Sequence, residues 1–456
     1  MARRVCIIGG GISGLGAAWA LARHQETFDC HLYEKADRLG GNAVTVDFPA
    51  ASGGTVPADI SVTAFIPSVY PNYIELMAAC GVTPVDTRFS LAVQYGGDEY
   101  AHDTASPLRH RLRGDFRRFR LLMALLSRVN ELNRRPSIPA ALANPFNYVS
   151  MRRMLDLYRI SDEFRYKVLK PLFVNLVLAS GVFDLPASLF SRFLDFFDVE
   201  HATPMVTWQG GTRAIYDRMA ETLGGRVHLG RAAVRVRRDR RGVTVIDDAG
   251  RAERFDDVVL ACHADQALAL LAGPSVRERL VLGAMRYDDS MYGRGVAHTD
   301  GSVLPEDAQD RSTFVRHRDG GLPDDYEITY AMHNQQAWAR EAGVPCLVTY
   351  NPRHPIDESK VVRQVGFRHV VHDVFHTTAL LGALPLLQGR RHTWFCGAHT
   401  TVNSQEHAFL SGLAVARRLG ADYPFPHNAE ALAWFNFHGT LMHGRRFPRA
   451  VPVTAA

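Results

Sequence analysis

The first forty residues constrain the fold of this chain more than any other stretch. Val5-Cys6-Ile7-Ile8 is an apolar strand entering Gly9-Gly10-Gly11-Ile12-Ser13-Gly14, and Leu15 to Arg23 reads as a helix. Strand, G-x-G-x-x-G turn and helix in that order form a dinucleotide-binding turn. Gly9 permits the tight turn, Gly11 lets the backbone approach a pyrophosphate, and Gly14 lets helix and strand pack closely. The pyrophosphate would sit at the helix N-terminus, where free N–H groups and the helix dipole favour an anion. A second strand, Cys30 to Tyr33, ends at Glu34. That acid lies at about the 20-residue spacing of a carboxylate that accepts a ribose hydroxyl. It also disfavours a 2′-phosphate. A glycine turn in an unrelated α/β protein is the alternative, and it has no need of the acid.

The chain continues Glu34-Lys35-Ala36-Asp37-Arg38-Leu39-Gly40-Gly41-Asn42. This E-x-x-x-R-x-G-G segment resembles the flavin-containing amine oxidase superfamily, the glutathione-reductase-like FAD proteins. The resemblance implies FAD as cofactor. It implies that Gly9, Gly11, Ser13, Gly14, Glu34, Arg38, Gly40, Gly41 and Asn42 lie along it, with Arg38 near the phosphates. A guanidinium fork suits phosphate oxygens, and paired glycines allow close backbone approach. Thr207-Trp208-Gln209-Gly210-Gly211-Thr212 resembles the W-x-G-G return of such chains. The backbone at Val234 would then pair with adenine. Thr393-Trp394-Phe395-Cys396-Gly397-Ala398 and the helix from Glu406 to Leu419 resemble the second FAD segment. They put Gly397 and Glu406 near the flavin, where a helix N-terminus stabilises negative charge on the reduced ring.

There is no second G-x-G-x-x-G, which a partner nicotinamide site would need. An oxidase, a dehydrogenase with another acceptor, or a redox-neutral isomerase fits. The 456 residues allow two domains. The predicted architecture is α/β, a Rossmann-like FAD domain interleaved with an α+β substrate domain. The FAD domain is expected over 1–95, 205–290 and 390–422. The substrate domain takes 96–204 and 291–389, and 423–456 forms a tail. In the substrate domain the pattern predicts helices at Asp115–Arg135, Met151–Ile160, Glu163–Ala179 and Pro186–Asp198. Strands are predicted at Gly293–His298, Tyr326–Met332 and Pro345–Tyr350.

A narrower likeness rests on Phe255-Asp256-Asp257-Val258-Val259-Leu260-Ala261-Cys262-His263-Ala264-Asp265 and on Trp394-Phe395-Cys396-Gly397-Ala398. These are similar to bacterial predicted NAD/FAD-binding flavoproteins associated with cyclopropane fatty acid synthases. The likeness implies chemistry on unsaturated or modified fatty acyl chains, by desaturation or double-bond isomerisation. The chain departs from that pattern at Asp59-Ile60-Ser61-Val62, where D-T-G-F is usual, and at His399-Thr400, where two tryptophans are usual.

Candidate catalytic groups are His399, Tyr330 and Tyr350; a structural histidine and tyrosines that merely wall a pocket are the alternatives. Glu406 could equally cap a helix. None of the four lysines, Lys35, Lys167, Lys170 and Lys360, falls on a predicted strand facing the flavin, unlike many amine oxidases. Amine oxidation, oxidation of a biosynthetic intermediate and a non-catalytic flavin-binding role remain alternatives. Six scattered cysteines without a C-x-x-C pair read as buried thiols of a reducing, cytoplasmic compartment, and no metal site is expected. Arg3-Arg4 before an apolar run imitates a leader, but cleavage there would remove the first strand. The net charge of +5 is modest and no basic stripe interleaved with aromatics calls for nucleic acid. Arg109, Arg111, Arg113, Arg117, Arg118, Arg120 and Arg128 surround an apolar stripe of Phe119, Leu122, Met123, Leu125 and Leu126. Such a helix can lie peripherally on anionic lipid at the inner membrane face, or bury its stripe in a core with a solvated Arg face. Oligomeric state is not readable.

Overall fold

The computed structural model describes residues 2–96, 98–101, 106–132, 138–177, 181–190, 204–318, 325–400, 402–445 and 447. A five-stranded parallel sheet organises the nucleotide half. Its order is Thr393–Phe395, Asp257–Leu260, Arg3–Ile8, Phe28–Tyr33, Val227–His228. The strands are apolar runs because helices cover both faces of a parallel sheet. An antiparallel unit, Ala233–Asp239, Gly242–Asp247 and Ala252–Phe255, stands beside it.

The first helix, Ile12–Ala22, is buried on every side. It is sandwiched between the sheet and the helix Gln405–Leu419. Glycines make the crossing close: a Cβ on Gly412 would lie 2.0 Å from Ser13 O, and one on Gly16 would lie 2.7 Å from the Phe409 ring. The loop after each strand therefore opens at the same edge of the sheet, where the glycine turns gather.

The substrate half is built on a seven-stranded sheet. Its order is Val361–Val365, Gly295–His298, Leu347–Tyr350, Tyr326–Ala331, Thr313–His317, Leu91–Tyr95, Asp98–Ala101. All neighbours are antiparallel except Thr313–His317 with Leu91–Tyr95. Helices Arg113–Leu132, Met151–Leu157 and Asp162–Val177 pack on it, the last with a π turn at Arg165–Leu169. Phe119, Leu122, Met123 and Leu126 meet Phe164, Phe173 and Phe190 in one apolar core. Within the tail, Ala429–His443 is a helix on Gln405–Leu419, with Phe435 stacked on Tyr423 at 4.2 Å.

One expectation needs correction, and one lies mostly outside the described residues. Leu91–Tyr95 was assigned to the FAD domain, but it pairs in the substrate sheet, because its apolar residues find the Thr313–His317 edge. Only the start of the Pro186–Asp198 helix is described, and residues 187–190 form a 3-10 turn there; Phe193, Phe196 and Phe197 lie outside the described residues. No helix among the described residues is long and apolar enough to cross a membrane.

Gly412→Ala tests the helix crossing. Ala gains about 1 kcal/mol of helix propensity over Gly, but overpacking against backbone costs about 1–3 kcal/mol. The clash with Ser13 O cannot be relieved by a rotamer, so urea denaturation should show net destabilisation. A more stable variant would contradict the close crossing.

Candidate functional site

Three glycines of the first turn have different surroundings. A Cβ on Gly14 would lie 1.9 Å from Gly9 O, and one on Gly9, at φ +116°, would lie 2.6 Å from Ala261 O. These two are required by the fold itself. Gly11 is not: a Cβ there would meet only Gly41 Cα, at 3.9 Å. It faces open space beside a helix N-terminus that no side chain caps. An anionic group fits that cradle.

The second glycine loop lies against the first. Gly40 N donates to Gly10 O at 2.8 Å, and Gly11 and Gly40 form a parallel bridge. Gly40 and Gly41 both have positive φ. Arg38 clamps this loop by donating to the carbonyls of Leu39, Gly41 and Ala43. Burial, and then the nearby Arg363 charge, lower the Arg38 pKa, and a phosphate would relieve the like charges. Asn42 Nδ2 donates to Arg368 O. Glu34 ends its strand as expected, and its carboxylate accepts N–H bonds from Gly10 at 2.6 Å and Ala36 at 2.8 Å. It thus shapes the turn as well as offering a ribose acceptor.

Val234 sits at a bulge. The ladder runs from Ala233–Asp247 to Arg235–Ile246 and skips it, and its side chain is exposed. Its backbone is left free of the strand pairing, as an adenine contact requires.

At the opposite end, Gly397 has φ +130°, and a Cβ there would lie 3.2 Å from His399 Nδ1 and 3.8 Å from Ser13 Oγ. The first turn and the Cys396-Gly397 strand end thus converge. His399 is buried, and its Nε2 has no partner. Such an orphaned atom costs about 1–3 kcal/mol unless a bound group meets it. Burial lowers the His399 pKa to about 3, helped by His263 and His376, so the ring is neutral. His376 Nε2 donates to His399 O at 3.1 Å. That leaves His376 Nδ1 to accept from His372 Nδ1, which sets both tautomers.

Glu406 does other work. It accepts from Asn72 N, Asn72 Nδ2 and Tyr73 N at 3.1, 2.8 and 2.7 Å. Both its oxygens therefore cap the helix Pro71–Ala79, whereas Ser404 caps its own helix. Burial raises its pKa to about 7. The Glu406 carboxylate is thereby committed to this cap, because two helix starts meet there.

Tyr330 and Tyr350 line an aromatic cage on the substrate sheet. Tyr292 completes it, 5.0 Å from the Tyr350 ring and 5.4 Å from His369, with Phe367 behind. Tyr292 Oη lies 3.4 Å from Tyr330 Oη and donates to Val174 O. Tyr350 Oη donates to Ile60 O at 2.8 Å, tying the cage to the segment after Asp59. No hydrogen bond among the described residues joins His399 to Tyr330 or Tyr350. Lys170 is buried over the Tyr326 ring, and Lys360 pairs with Asp300.

Sequence reasoning missed Tyr292, Phe367 and His369, which show no period or motif. It also missed the role of Asp59, which is fully buried. Its carboxylate accepts from Thr45 Oγ1, Thr212 N and Thr212 Oγ1, and its backbone exchanges two hydrogen bonds with Gln336. A Cβ on Gly211 would lie 2.7 Å from Thr45 Oγ1, which explains the second glycine of W-x-G-G. Burial pushes the Asp59 pKa up to about 6. Ser61, in the departing segment, donates to Asn42 O at 2.6 Å and so holds the second glycine loop.

Two outcomes are expected. Gly11→Ala should leave the melting temperature of FAD-free protein unchanged and lower FAD affinity by about tenfold or more, the cost of a methyl in a filled cradle. Gly14→Ala should destabilise the FAD-free protein itself. Equal melting losses in both would contradict the distinction. For Glu406 the folded pKa of about 7 exceeds the ordinary 4.5. Its stabilising contribution is therefore full below pH 4.5 and is lost as pH rises through about 7. Melting curves across that window should show Glu406→Gln gaining on the unsubstituted protein as pH rises, and a constant difference would contradict it.

Comparison with curated proteins finds no sequence match. The profile of the flavin containing amine oxidoreductase family matches residues 12–287. Among solved structures, a CLA-producing fatty acid isomerase from P. acnes superposes with TM-score 0.65 at 16% identity, over 92% of this chain and 99% of that one. Cyclohexylamine oxidase from Brevibacterium oxydans gives TM-score 0.62 at 17% identity, over 92% and 100%. Reduced UDP-galactopyranose mutase gives 0.62 at 16%, over 98% of each. Those likenesses show the fold, and the profile covers more than half of the chain. The paired glycine loops, the open cradle at Gly11 and the profile lead to one assignment: the chain belongs to the flavin containing amine oxidoreductase family and is an FAD-dependent enzyme.

Proposed function

We propose that this oxidoreductase acts on an apolar substrate, an unsaturated or modified fatty acyl chain, by loss of an allylic hydride. The observation that carries the reading is the absence of charge among the described residues of the cage. Burial raises the pKa of Tyr292, Tyr330 and Tyr350, so the phenols stay protonated. Burial lowers His369 to about 4 and His399 to about 3, so both imidazoles are neutral at pH 7.

Bound FAD supplies a two-electron hydride acceptor. The chain's own part is placement and exclusion of water. Tyr350, held by Ile60 O, and Tyr292, held by Val174 O, fix the walls. Removing a proton as well, as desaturation of an unactivated bond demands, needs a base. No group of the cage is a strong one. An allylic centre needs none, because its cation is delocalised, and hydride returned to the far carbon moves the double bond. An ammonium substrate would lose several kcal/mol on desolvation, against about 0.5–2 kcal/mol from the tyrosine faces. The reading is also supported by the fatty acid isomerase among the superposed structures.

Anaerobic mixing with unsaturated fatty acids and phospholipids, followed by mass spectrometry, tests this. Isomerisation should keep the mass and move the double bond; desaturation should remove two hydrogens and leave the flavin reduced. Tyr350→Phe should cut turnover with little effect on FAD content. Rapid bleaching by primary or secondary amines, with no acyl reaction, would make the protein an amine oxidase instead.

A further inference from the structure

The helix Arg113–Leu132 forms the roof of the substrate half. Leu112, Phe119, Leu122, Met123 and Leu126 face the core. The opposite face carries Arg113, Arg117, Arg120, Leu121, Leu125 and Arg128, all exposed. These positions recur every three or four residues and so share one side of the helix. Leu121 is 59% and Leu125 39% exposed. Leucines at i and i+4 form a continuous apolar ridge that water solvates poorly.

The charges around the ridge are positive except for Glu131 in the last turn. Arg113, Arg117, Arg120 and Arg128 have no acidic partner among the described residues. Asp115, the acid of the first turn, is buried; it pairs with Arg118 and accepts from Ser161 N at 2.8 Å. Exposed arginines elsewhere, such as Arg152, Arg213 and Arg254, are held by a carboxylate partner. This face therefore keeps its charge available.

We propose that this face docks on a bilayer surface bearing anionic phospholipid headgroups, with Leu121 and Leu125 entering the acyl boundary and the four guanidiniums meeting the headgroup phosphates. The charge pattern chooses the occupant. A second copy related by a two-fold axis would bring four cations against four. A nucleic acid backbone would match the arginines but leave the leucine ridge against phosphate. An anionic leaflet matches both, since apolar insertion and electrostatic attraction add at an interfacial helix. The inference does not depend on which substrate the flavin site oxidises.

Flotation of the FAD-loaded protein tests it, with phosphatidylcholine vesicles and with vesicles containing about one third phosphatidylserine. Binding is expected only to the second set, and it should fall at least about tenfold on raising salt well above physiological strength. Arg117→Glu/Arg120→Glu and Leu121→Asp/Leu125→Asp should each lower it by about tenfold or more, with unchanged FAD content and melting temperature as controls of folding. No binding to the anionic vesicles, or binding by either variant as strong as that of the unsubstituted protein, overturns the proposal. So does a lipid-free dimer that the Leu121→Asp/Leu125→Asp change dissociates, or capture of an acidic protein in preference to vesicles.

Discussion

The rest of the structure depends on the contact between two helices from opposite ends of the chain. Ile12–Ala22 and Gln405–Leu419 approach so closely that Gly412 and Gly16 leave no room for a Cβ. That contact brings the first glycine turn beside Gly397, so one cofactor can touch residues about 380 positions apart. The segments between are free to build a separate substrate half, because the nucleotide sheet is closed by Thr393–Phe395 and not by its neighbours in sequence. Asp59 and Gln336 then fix how the halves meet, and Tyr350 holds Ile60 from the other side.

Much of the nucleotide half was legible because its signals are local. A strand, a glycine turn and an acid at fixed spacing have one economical arrangement, and the structure places Gly9, Gly11, Gly14, Glu34, Gly40 and Gly41 accordingly. The bulge at Val234 also falls where the resemblance put an adenine contact. Arg38 was legible as part of the second glycine loop, where its guanidinium is committed to loop carbonyls.

What was not legible depends on contacts between remote segments. Glu406 carries the right signal for a helix N-terminus, but the helix it caps begins at Pro71, which no spacing rule connects to it. Leu91–Tyr95 reads as a strand in either half, and only its partner, Thr313–His317, decides. Tyr292 and His369 join the cage through a loop and a two-residue strand, so they leave no period to read. The departures at Ser61 and His399 were visible, and they prove to sit against the second glycine loop and beside Gly397.

The central claim is that in a cage whose described residues include no strong base and no charge, the substrate gives up a hydride to the cofactor and not a proton to the protein. An unsaturated acyl chain deuterated at its allylic carbon, incubated anaerobically in ordinary water, tests this directly. The account predicts that the migrating deuterium stays in the product of a double-bond shift, or is carried on the reduced cofactor before solvent exchange. Rapid loss of that deuterium to water before any product forms would show proton abstraction by a base, and would contradict the account.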